Sequence, residues 1–223
     1  MVISNRQLLI VSAAVAAALG VGIVVGVQLG DDGPAGARVV QPGAPGQAGR
    51  TLSPGDLDAI SPPAHNAADT LFMQQMIPHH AQALEMTALV DDRTRSEDLA
   101  LLAERIEASQ QTEIDQMQAW LTERHEEVPA AHDHHSGHHP DLMPGMLTED
   151  QLTQLAAARS AEFDRLFLEF MIRHHQGALR MVEQLYATGG GIEPASDRFA
   201  REVNADQNIE IRRMATMLAD RSG

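Results

Sequence analysis

The chain has 223 residues, no cysteine, a formal net charge of −15, and 43% apolar but only 3% aromatic residues. Its acidic balance excludes a nucleic-acid partner, which needs a basic face. The missing thiols exclude disulfides, thiolate metal sites and a cysteine nucleophile. With so few aromatics, Ala, Leu and Met must fill the core, and good helix formers dominate outside the first thirty residues, so an all-α domain is expected.

Leu8 to Leu29 is an almost uninterrupted apolar run, preceded by Arg6 and followed by Asp31-Asp32. About 20 apolar residues span a bilayer, and this order of charges keeps the N-terminus inside. Residues 1–30 are therefore expected to form an N-terminal transmembrane helix acting as a signal anchor. A single pass would hold the remaining chain at the membrane in the extracytoplasmic space. Cleavage near Ala16-Ala17-Ala18, giving a secreted protein, is the alternative. Residues 31–61, rich in Gly, Pro, Ala and Gln, read as a flexible linker without a fold.

Residues 62–223 read as the folded domain. Ser61-Pro62-Pro63 is a helix start signal. The first helix should run to about Val90, with Phe72, Met76, His79 or His80, Ala83, Met86 and Val90 along one stripe. Pro78 lies inside it and predicts a kink. A second helix is expected from about Ser96 to Glu126, with Gln110, Glu113, Met117 and Leu121 on its inner face. The loop 128–147 then carries His132, His134, His135, His138 and His139, followed by Met143 and Met146. Thr148-Glu-Asp-Gln151 matches a capping box and should open a third helix reaching about Ala187, before Gly189-Gly190-Gly191. A fourth follows Pro194.

An internal repeat organises these helices. Asp69, Phe72, Met76, His79-His80, Ala83 and Met86 recur as Asp164, Phe167, Met171, His174-His175, Ala178 and Met181, 95 residues later. Gln110-x-x-Glu113-Ile114-x-x-Met117 recurs as Gln207-x-x-Glu210-Ile211-x-x-Met214. Each half is thus a helical hairpin, and two hairpins make an up-down four-helix bundle.

Residues three and four apart share a helix face, so Met76 neighbours His79, and Met171 neighbours His174. His80 and His175 lie about 100° further round and could serve a second site or support the first. Buried imidazoles are costly unless their polar atoms are satisfied. A shared ion, or the Glu113 and Glu210 carboxylates, would satisfy them. The metal candidates are Met76, His79, His80, Met86, Met171, His174, His175 and Met181, with Glu113, Met117, Glu210 and Met214 behind them. Imidazole accepts copper, zinc or iron, while thioether selects Cu(I); copper, as Cu(I) or Cu(II), is the expected ion. The five loop histidines form a secondary, looser candidate site. A ferritin-like di-metal oxidase using Glu113 and Glu210, and a helical scaffold without metal, are the competing readings. No catalytic motif is evident, so the chain is not read as an enzyme.

Phe72 through Met86 with Gln110 through Met117, and their repeats, resemble the family called domain of unknown function 305. The likeness extends over about residues 64–220, with Arg173 in place of the family's proline. The resemblance implies a ferritin-like bundle related to extracytoplasmic copper-handling proteins. It further implies copper buffering or delivery, with a copper-transfer protein as partner. The Arg173 departure implies unequal binding by the two halves.

Overall fold

The structure is a computed structural model that describes residues 40–41, 49–53, 64–129 and 142–221. The expected membrane span and the five loop histidines lie outside the described residues. Among the described residues no helix is long and apolar enough to cross a membrane. The chain divides into two units, Met1–Pro62 and Pro63–Gly223.

In the first unit β1 (Val40–Gln41) pairs antiparallel with β2 (Arg50–Thr51), Val40 opposite Thr51 and Gln41 opposite Arg50. The linker reading expected no fold here.

The second unit is all helical among its described residues: α1 (Ala67–Thr87), α2 (Glu97–Glu123), α3 (Glu149–Ala157), α4 (Ser160–Ala187) and α5 (Pro194–Asp220). Its first helix starts later than the Ser61 signal predicted. Asn66 is the cap, and its side chain accepts from the Ala68 and Asp69 amides at 2.9 and 3.2 Å. The Asp69 carboxylate accepts from the Asn66 amide at 3.0 Å, completing a capping box. The helix runs unbroken through Pro78. Ser96 caps α2 as the sequence suggested, and the Thr148–Gln151 capping box opens α3.

The expected third helix is two helices. Ala158 and Arg159 are extended and Ser160 has φ +53°, which separates α3 from α4. Local propensity loses to long-range bonding here. The Ser160 amide donates to the Arg93 carbonyl at 2.7 Å. The Arg93 side chain donates to the Ala156 carbonyl at 2.9 Å, and Arg159 donates to the Ala156 and Ala158 carbonyls at 2.8 and 2.7 Å. Carbonyls orphaned at the end of α3 are thereby satisfied.

Helix α1 packs with α2 and helix α4 with α5, forming two hairpins that meet through α1 and α4. Fourteen of the 21 residues of α1 are buried, so it is covered on several sides rather than along one stripe. Two apolar clusters fill the interior. One contains Ala83, Met86, Met171 and Met214; the other contains Met76, Met117, Ala178 and Met181. Helix α1 passes from the second cluster to the first, and α4 passes from the first to the second. The two helices therefore run antiparallel, related by a pseudo-twofold axis. Burying each of these methionine side chains contributes roughly 2 kcal/mol.

Asp69 and Asp164, the first residues of the repeated motif, act as braces. Asp69 accepts from the Gly191 amide and the Ser196 hydroxyl, both at 2.6 Å, in the second hairpin. Asp164 accepts from the Thr94 hydroxyl at 2.6 Å in the first. Each hairpin thus grips the other's connecting loop.

Candidate metal centre

The two antiparallel helices bring the His pairs to the level between the apolar clusters. His79, His80, His174 and His175 have no exposed surface at all. The His79 and His174 rings lie 3.9 Å apart between centroids, with 36° between their planes. His80 lies 6.2 Å from His79 and His175 lies 6.3 Å from His174, again between centroids.

The outer rings are each held by a carboxylate of their own hairpin. His80 Nε2 bonds Glu113 Oε2 at 2.5 Å, and His175 Nε2 bonds Glu210 Oε2 at 2.6 Å. His79 Nε2 bonds the Pro144 carbonyl at 3.0 Å. Carbonyl and carboxylate oxygens accept, so Nε2 is the donor on these three rings. All four Nδ1 atoms are buried, and none has a hydrogen-bond partner among the described residues. His174 Nε2 also lacks one; the His79 backbone approaches this ring without reaching hydrogen-bond geometry.

Burial pushes His79 down to about 3, and the neighbouring His80 adds to the effect. Burial holds His174 well below its ordinary 6.5, followed by repulsion from His79. Both rings are neutral at physiological pH, which is the form that can donate a lone pair to a metal. On the α5 side, partial burial and then Glu113 and Glu210 raise the Asp206 carboxyl, which places acidic groups from both hairpins near one another.

The six methionines of the repeat are all buried. They sort into two triads across the pseudo-twofold axis. Met76, Met117 and Met181 share one cluster, and Met86, Met171 and Met214 share the other. Each triad draws on both hairpins. Among the described residues no group of three or more His, Asp or Glu side chains is arranged to hold a metal ion.

Several contributors escaped the sequence reading. Gln110 is fully buried with both amide atoms unpartnered among the described residues, and buried Gln207 has an unpartnered Oε1. Their place in the duplicated Gln-x-x-Glu motif was a usable signal. Pro144, which anchors His79, and Gln82, which holds Leu147, act across 65 residues of sequence. Of the loop sulfurs, Met143 is half-buried against one cluster and Met146 is buried.

Two helical hairpins enclose a layer of four fully buried imidazoles between two methionine-bearing apolar clusters. The chain belongs to the family described as domain of unknown function (DUF305), whose profile matches residues 69–218. A DUF305 fragment from Deinococcus radiodurans is similar in structure, with TM-score 0.60 and 31% identity over 71% of this chain and 99% of that one. A DUF305 protein from Streptomyces coelicolor, described as a candidate secreted protein, gives TM-score 0.61 and 30% identity over 70% of this chain and 94% of its own. CopM in its Cu(II)-bound form gives TM-score 0.56 and 29% identity, covering 68% of this chain and 96% of CopM. None of the curated proteins matches this chain.

Proposed function

We propose that this protein binds copper in the interior of its helical bundle and buffers or delivers it outside the cytoplasm. The observation that carries the reading is the set of four fully buried imidazoles whose Nδ1 atoms have no hydrogen-bond partner among the described residues. Leaving such polar atoms buried and unpaired is costly, and a metal cargo offsets that cost. His79, His174 and the two thioether triads are the proposed donors, a set that favours Cu(I). Glu113 and Glu210 orient His80 and His175, as carboxylates commonly do behind metal-binding imidazoles. Likeness to CopM, crystallised in Cu(II)-bound and Cu(I)-bound forms, supports the choice of copper.

The reading includes a four-helix bundle of ferritin type, anchored by the apolar run Leu8–Leu29, with a copper-transfer protein as partner. The His-rich stretch 132–139 is proposed as a looser collecting site. A di-metal oxidase is less well supported, because Glu113 and Glu210 each serve an imidazole of their own hairpin.

Titration of the full-length chain with Cu(I) against a chromophoric chelator tests the proposal. Tight uptake is expected. Combining His79→Ala with His174→Ala should weaken it by more than roughly tenfold, since loss of even a supporting partner costs about that much. Wild-type uptake no tighter than that of the double variant would overturn the reading.

A further inference from the structure

Residues 143–147 form a strap across the face where α1 meets α4, and its fit is unusually specific. The Met146 amide donates to the Met143 carbonyl at 3.2 Å, closing a turn around Pro144 and Gly145. Gly145 has φ +81°. Proline followed by a left-handed glycine is the signature of a type II turn. Such a turn makes no use of its central carbonyl. Here that carbonyl, on Pro144, accepts from His79 Nε2 at 3.0 Å.

The strap is seated backbone against backbone. A Cβ on Gly177 would fall 1.9 Å from the Pro144 oxygen, and one on Gly145 would fall 2.5 Å from the Arg173 oxygen. Neither position tolerates a side chain. The far end is clasped by Gln82, whose Oε1 accepts from the Leu147 amide at 2.7 Å and whose Nε2 donates to the Leu147 carbonyl at 3.0 Å. Gln82 and Gly177 are equivalent positions of the repeat, 95 residues apart. One half supplies a clasp and the other a seat, so a single strap breaks the twofold equivalence. It leaves His79 anchored and His174 with both nitrogens unpartnered among the described residues.

All four imidazoles are shut off from solvent, so cargo moves in or out only when something opens. The hairpins are closed by apolar clusters that run their length. The strap is held by two bonds from Gln82, one from His79, its contacts with Gly177 and the buried Met146 and Leu147 side chains. A five-residue segment anchored by two buried side chains opens locally at lower free-energy cost than helices buried along their length. We propose that the 143–147 strap is the gate for metal exchange at the imidazole layer, latched by Gln82 and seated on Gly177. This rests on the copper reading given above.

The test uses the full-length chain loaded with Cu(I) and challenged with excess chromophoric chelator. Gln82→Ala removes both clasp bonds and should make release roughly tenfold faster or more. Equilibrium affinity should change less than the rate, because opening speeds loading as well. Gly177→Ala should accelerate release in the same direction by lifting Pro144. Amide hydrogen exchange on the unaltered, metal-free chain keeps the proposal testable if a variant folds poorly. The Leu147 amide should exchange faster than the core amides of α1 and α4. Wild-type protein that takes up no copper overturns the copper reading and the gate's cargo with it. Tight uptake with unchanged release in both variants sinks the gate alone, as does a Leu147 amide as protected as the helix cores.

Discussion

His79 and His174 lie ring against ring in an interior without exposed surface, and that position sets their chemistry before any metal arrives. Burial holds His79 at about 3 against an ordinary 6.5, and His174 is likewise lowered. Between those values the unfolded chain binds more protons than the folded one, so stability rises with pH. The contribution is fully present above about pH 6.5 and is lost as pH falls towards 3. The thermal midpoint of the metal-free protein should therefore drop between about pH 7 and pH 5, beyond any general acid effect. His79→Gln with His174→Gln should flatten that drop. Circular dichroism melts across this range check both statements, and equal pH slopes would contradict them. The His pairs were legible in the sequence because they repeat in register with methionine. Their partners were not: nothing in the spacing assigns the Pro144 carbonyl to His79.

At the scale of elements, the repeated Asp proves to be a brace. Asp69 accepts three hydrogen bonds, from the Asn66 and Gly191 amides and the Ser196 hydroxyl, while fully buried. Asp69→Ala leaves three donors unsatisfied and should cost about 3 kcal/mol in chemical denaturation. Asp164→Ala should cost less, since Asp164 accepts one close bond from Thr94 and has only a 3.7 Å ion pair with Arg221. Equal losses would argue against the braces as described. The capping boxes explain which helix boundaries could be read. Thr148–Gln151 is a local signal and marks the start of α3. The break at Ala158–Arg159 is non-local, because Arg93 and Ser160 settle it through bonds spanning more than sixty residues. Asn66 displaced the Ser61 signal because it reaches both orphan amides and pairs with Asp69.

For the whole molecule, a ligand that binds only the folded state must raise its stability by mass action. Free Cu(I) at a hundred times its dissociation constant should add about 2.7 kcal/mol, and a chelator should remove it. A melting temperature unmoved by either would support a scaffold without metal. A periodic pattern reports which residues share a helix face. That local information was enough to place the helical stretches and pair them into two hairpins, although it ran α3 and α4 together as one helix. It could not say which face meets which, because that depends on contacts between residues far apart in the chain. Only tertiary packing set α1 antiparallel to α4, sorted six methionines into two mixed triads and gave each outer imidazole its carboxylate. It also laid a single Pro-Gly turn between Gln82 and Gly177, where close backbone contact makes two halves of one repeat unequal.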